Sequence, residues 1–126
     1  MIEFTLPFAL PSLNVRDRRH RYQHGKDKKQ MHLEVLAAIG GSRYLPREPL
    51  ERARITVVRH SSGQIDPDGV ASTCKNLLDV LCVKSKVHPT GLGFIVDDDA
   101  KHIELHVSQE SAPKGQGSTL VRIEAA

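Results

Sequence analysis

The stretch Asp66-Pro67-Asp68-Gly69-Val70-Ala71-Ser72-Thr73-Cys74-Lys75-Asn76-Leu77-Leu78-Asp79-Val80-Leu81-Cys82-Val83 decides how this chain folds. Stepped at about 100° per residue from Asp68, it puts Val70, Cys74, Leu77, Leu78 and Leu81 on one side. Asp68, Ser72, Lys75 and Asp79 fall on the opposite side. The spacing predicts a helix from near Asp68 to near Val83, its apolar face on a sheet and its polar face outward. Asp66, in the turn before the helix, can point to the same place.

Working outward, Ile2 to Leu6 alternates as a short strand, and Pro7 and Pro11 impose an extended turn before Ser12-Leu13-Asn14. Lys26 to Ile39 has helical spacing, with Met31, Val35, Leu36 and Ile39 on one side and a stop at Gly40-Gly41. Ala53 to His60 is a strand with Ile55 and Val57 on one face and Arg54, Thr56 and Val58 on the other. Phe94-Ile95-Val96 leads into Asp97-Asp98-Asp99, and Ile103, Leu105 and Val107 alternate as a further strand. Pro113 to Gly117 is a turn before a last strand from Leu120 to Glu124. The expected fold is α+β in the order β-α-β-α-β-β: a single mixed sheet with two main helices packed on one face. Its 126 residues, 39% of them hydrophobic, suit one domain over 1–126 with a core that needs no covalent staples.

Aromatic residues make up 4% of the chain and Trp is absent, which argues against a binding surface built from stacked bases. The net charge of +3 is unevenly spread. Residues 16–29 carry seven Lys/Arg against two acids, whereas residues 66–110 carry eight acids against four lysines. A basic segment and an acidic cluster in one small domain suit a polyanion binder that also holds a metal. Charge alone favours the plainer reading, two solvated faces of opposite sign. Cys74 and Cys82 are eight positions apart on the predicted helix, about 12 Å, too far for a disulfide, and read as buried small hydrophobes. With no signal-peptide pattern and no apolar run of membrane-spanning length, a cytoplasmic setting without membrane contact is expected.

Asp66, Asp68 and Lys75 converge by helix geometry, and Asp97-Asp98-Asp99 supplies a further source of carboxylate just before a strand. Converging carboxylates repel unless a cation joins them, and hard oxygen donors suit Mg²⁺. The alternative reading is structural: Asp66 opens a turn, Asp68 caps the helix, Lys75 pairs with Asp79 at i+4, and the three aspartates form a solvated loop. A calcium hand is excluded, because Leu77 stands at the twelfth position of the loop, which needs Glu. The seven histidines complete no zinc pattern and read as surface residues.

Asp66-Pro67-Asp68-Gly69, then Lys75-x-x-x-Asp79-x-Leu81, then Asp97-Asp98 before a strand, resembles the RusA family of Holliday-junction resolvases. Leu6-Pro7 and Pro11-Ser12-Leu13-Asn14 resemble that family's opening strand and loop, so the similarity runs from Ile2 to Ile123. Gly69 stands where the family usually has Asn, and Lys75 follows Asp68 by seven positions rather than the family's four. The resemblance implies a homodimeric endonuclease that cuts four-way DNA junctions with Mg²⁺, for which Mn²⁺ can substitute. It implies Asp66, Asp68 and Asp98 as metal ligands, with Asp97 the alternative to Asp98, and Lys75 as the residue that neutralises charge on the phosphate. A bacterial or phage-infected cell is the setting it implies.

Asn14, Arg16, Arg18, Arg19, Arg21, Lys26, Lys28 and Lys29 are then the expected DNA contacts, since arginine and lysine grip phosphates regardless of sequence. Two other readings stay open: a nucleic-acid binder without catalysis that uses this arm, and a nuclease for other branched DNA.

Overall fold

The computed structural model describes residues 1–11 and 21–126, apart from the side chains of residues 21–25 and of Pro67. Strand β1 spans Ile2–Leu6, helix α1 Arg21–Ile39 and strand β2 Ala53–Ser61. Helices α2 (Pro67–Ser72) and α3 (Lys75–Leu81) follow, then strands β3 (Ile103–Ser111) and β4 (Ser118–Ala125). A single 3-10 turn, Ser42–Tyr44, lies after α1.

The sheet is mixed and ordered β1-β4-β2-β3. β4 runs antiparallel to both β1 and β2, and β2 runs parallel to β3. Parallel neighbours cannot be joined by a hairpin, so the chain crosses between β2 and β3 through α2 and α3. That crossover carries every acidic residue the sequence pattern singles out.

Register keeps one sheet face apolar. Ile55 opposes Ile123 and Val57 opposes Val121, and Phe4 sits across from Val121 in the next pair. All are buried, together with Met31 and Val35 of α1 and Cys74, Leu77 and Leu81 from the α2–α3 segment. Phe4 and Phe94 meet at 6.4 Å between ring centroids, tilted by 38°. The other sheet face is polar and faces water. There Arg54 pairs with Glu104 and Arg122 with Glu3, each at 2.8 Å. A sheet with one solvated face needs this alternation, because a slip of one residue would turn the core outward.

The predicted α+β sheet with helices on one face is the observed architecture. Three differences from the expected elements bear on the site. Helix α1 is already helical at Arg21, the first residue described after residue 11, five residues before the expected start at Lys26. The single helix expected from Asp68 to Val83 is two short ones. Between them the Thr73 hydroxyl donates to the Val70 carbonyl at 2.6 Å, and Cys74 N–H bonds back only three residues, to Ala71. This tightened turn interrupts the i to i−4 ladder, which resumes with Leu78 N–H to the Cys74 carbonyl at 2.8 Å. The helix also ends at Leu81, because Cys82 is extended and bridges Ile95. Among the described residues, no helix is long and apolar enough to cross a membrane.

Candidate functional site

The segment after α3 folds back over its own end. Leu92 N–H donates to Val80, Phe94 and Ile95 N–H to Leu81, and Gly93 N–H to Cys82. Leu50 clamps the far side, accepting from Val96 N–H and donating to Phe94. Phe94 and Ile95 are buried, so the next residues emerge at the surface directly beside the end of α3. In this way Asp97 and Asp98 are delivered to Asp79 and Cys82.

Gly91 is required by this return. A Cβ there would run into the Cys82 carbonyl and stand 2.7 Å from the Lys84 nitrogen. Just before it, Ser85 and Gly91 N–H both donate to the His88 carbonyl, and His88 N–H donates to Ser85 Oγ at 3.1 Å. The loop therefore holds His88 from both sides of its backbone. Its imidazole sits between two carboxylates, with Nδ1 3.6 Å from Asp79 Oδ1 and Nε2 3.7 Å from Asp97 Oδ1. Both distances are too long for hydrogen bonds.

Among the described residues, one group of potential metal ligands gathers within 4.8 Å: Cys82, His88, Asp97 and Asp98. Asp98 N–H donates to Asp97 Oδ1 at 2.8 Å. That backbone bond, with the adjacent Asp98 side chain, holds the Asp97 carboxyl below the usual carboxylate range. Burial pushes Asp98 the other way, helped by the adjacent Asp97 carboxyl and by the negative charge of Asp79. Pairs of carboxyls driven apart in this manner are typical of sites built to take a cation or a proton. Asp99 does different work. Its Oδ1 accepts from Lys101 N–H, His102 N–H and His102 Nδ1, which ties down the turn into β3.

Asp66 and Asp68 are exposed at the start of α2 and stand outside the 4.8 Å group. Asp66, not Asp68, occupies the N-cap position, and its carboxylate makes no capping bond. Gln109 on β3 fixes the residue before it, accepting from Ile65 N–H at 3.1 Å and donating to the Ile65 carbonyl. Lys75 is exposed at the first position of α3. Asp79 departs from the expected outward face. It is buried, and its partner is Lys28 of α1 at 2.9 Å rather than Lys75. The break at Thr73–Cys74 and the return of residues 88–98 cover that side of α3.

Of the expected DNA contacts, Asn14, Arg16, Arg18 and Arg19 lie outside the described residues, as does the side chain of Arg21. Lys26 is exposed, Lys28 is engaged with Asp79, and Lys29 lines a cavity of about 350 Å³ with His32, Leu33, Lys84 and Thr90. A second cleft, of about 670 Å³, mixes Val83, Val87 and Val96 with His88, Asp97 and Asp98. The loop carrying Lys84 to Thr90 separates a basic hollow from an acidic one.

His88 and Cys82 are functional candidates that pattern reading passed over, as one histidine among seven and one apolar helix position. The only local signal is the order Cys82, His88, Asp97-Asp98 within one crossover, which acquires meaning once Gly91 and the returning segment are known. No protein-family model matches the chain, and no curated protein matches it.

Proposed function

We propose that this chain is a divalent-metal-dependent DNA endonuclease that cuts branched DNA, four-way junctions being its substrate, and that it acts as a homodimer. The observation that carries the reading is the Asp97–Asp98 pair beside His88, opening onto a cleft of about 670 Å³ with a lysine-lined hollow alongside. Oxygen donors at an open cleft fit a divalent ion such as Mg²⁺ or Mn²⁺. When bound there, such an ion acts as a Lewis acid toward a phosphodiester and lowers the pKa of water.

The chain's own groups have separate tasks. Asp97 and Asp98 hold the cation, and the Asp98 N–H bond to Asp97 Oδ1 fixes the Asp97 carboxylate beside its neighbour. Lys29 and Lys84 attract the phosphates that flank the scissile one. Asp66 and Asp68 provide the second source of carboxylate, with the Asp66 side chain free of capping duty. Lys75 offsets charge that develops on the phosphate. A four-way junction has approximate two-fold symmetry and needs paired cuts, which a dimer with one site per subunit supplies.

The second reading, a nucleic-acid binder without catalysis, draws on one observation: Asp66 and Asp68 stand outside the ligand group. Cleavage of a synthetic four-way junction, with and without Mg²⁺ and beside a linear duplex, separates the two. Paired nicks that need the metal and vanish in Asp98→Asn and Asp68→Asn support the endonuclease. Tight junction binding with no cut by the wild-type chain under Mg²⁺, Mn²⁺ or Zn²⁺ overturns it.

A further inference from the structure

We propose that His88, Asp97 and Asp98 form a three-ligand site for a borderline transition-metal ion such as Zn²⁺, in preference to Mg²⁺. The inference deepens the nuclease reading at the same carboxylates and rests on it for what the ion does to DNA.

The donor set decides the ion. Mg²⁺ favours an octahedral shell of oxygens and keeps several waters, whereas imidazole suits zinc, copper, iron and nickel. One imidazole and two carboxylates within 4.8 Å form such a mixed set. All three residues also line the 670 Å³ cleft. A catalytic zinc site has this pattern of three protein ligands with the remaining position open to water or substrate.

His88 is oriented for ligation. Nε2 faces Asp97 Oδ1 at 3.7 Å, while Nδ1 points back at Asp79 Oδ1 at 3.6 Å. Nδ1 is a buried atom without a hydrogen bond. Asp79 stands behind the ring, about half an ångström beyond hydrogen-bond reach; a carboxylate that accepts from the second ring nitrogen is the usual support of a metal-bound histidine, and a small rotation of the ring would make that bond. Asp79 is itself anchored by Lys28 at 2.9 Å, so it cannot swing in to ligate without breaking that pair. Asp79 is thus a positioning residue. Cys82 belongs to the group by distance, but it is fully buried, lines neither cavity, and donates its Sγ–H to the Leu78 carbonyl at 3.2 Å. It sits behind the three ligands with its Sγ–H committed to Leu78.

Isothermal titration of the full chain with Zn²⁺, without DNA, tests this directly. One Zn²⁺ per chain is expected, not displaced by a large excess of Mg²⁺, with affinity reduced at least about tenfold in His88→Ala. A Co²⁺ derivative should lack the near-ultraviolet thiolate-to-cobalt band, since Cys82 does not ligate. Unchanged Zn²⁺ affinity in a folded His88→Ala, displacement by Mg²⁺, or a thiolate band would each overturn the site. Because no DNA is present, a chain that binds Zn²⁺ through His88 yet leaves junctions intact refutes the nuclease reading alone.

Discussion

Lys28 Nζ lies 2.9 Å from Asp79 Oδ2, joining the basic helix α1 to the buried polar side of α3. The lysine is 29% exposed and the aspartate 9%, so the pair sits at the edge of the core with its negative end inside. Removing the lysine leaves a buried carboxylate whose one remaining ion-pair neighbour among the described residues is the His88 ring, at 3.6 Å.

Lys28→Ala is therefore expected to destabilise the fold by about 1–2 kcal/mol, between the values for an exposed and a fully buried ion pair. Urea unfolding of the single variant and of Lys28→Ala/Asp79→Asn checks it. The double variant should recover part of the loss, because the amide no longer carries the stranded charge. Equal stability of wild type and Lys28→Ala would show the pair to be an ordinary surface contact.

The strands, the turn at Gly40-Gly41 and the apolar side of the crossover were legible in sequence because each follows from local periodicity. Ile55 and Val57 alternate with Arg54 and Thr56 whatever the partner strand. The site was legible only in part. Asp97 and Asp98 were found from their place before a strand. The burial of Asp79 was not, since it depends on Lys28 about fifty positions earlier and on the returning loop that covers α3. His88 was missed for the same reason: its two carboxylate neighbours come from different elements. Asp99 could not be told from Asp98 by pattern, whereas its bonds to residues 101 and 102 give it a structural task.

Both cysteines should be inert in the folded protein. Burial raises the Cys74 thiol to about 11 and the Cys82 thiol to about 12, with nearby Asp98 and Asp97 adding to the latter. At pH 8, Cys74 holds roughly 100-fold less thiolate than an unperturbed cysteine, and only thiolate reacts. A disulfide reagent should label neither thiol until denaturant is added, then both. The sign for stability follows. The unfolded thiols ionise first as pH rises past about 9 while the folded ones keep their protons, so this contribution is complete below that value. It drains away as pH climbs toward the folded values, and the urea midpoint should fall between pH 9 and pH 11. Rapid native labelling would refute the burial.

Gly69 lies inside α2, and a Cβ there would meet only Ile65 Cδ1, at 4.0 Å. Nothing in the backbone requires glycine. Gly69→Ala should stabilise the protein by about 0.5–1 kcal/mol, the helix-interior difference between the two residues. Gly69→Asn should also fold, since the same space is open. A loss of stability in Gly69→Ala, read from the thermal midpoint, would mean that the segment is not helical in solution.

Gly91 is the opposite case. Its neighbours are backbone, the Cys82 carbonyl and the Lys84 nitrogen, and backbone cannot turn aside as a flexible side chain does. Gly91→Ala must push the returning segment away from α3. That segment holds Phe94 and Ile95 in the core and carries Asp97 and Asp98, so two effects should appear together. Stability should fall by about 2 kcal/mol, as for an overpacked interior site. The aspartates should also move out of register with His88, weakening Zn²⁺ binding even under conditions where the variant is fully folded. His88→Ala, by contrast, should weaken the metal with little change in stability, because its ring is held by no hydrogen bond. Measuring the urea midpoint and the Zn²⁺ affinity for both variants separates the two roles. A Gly91→Ala protein that keeps wild-type metal affinity would mean that the close approach of residues 82 and 91 does not set the position of the acidic pair.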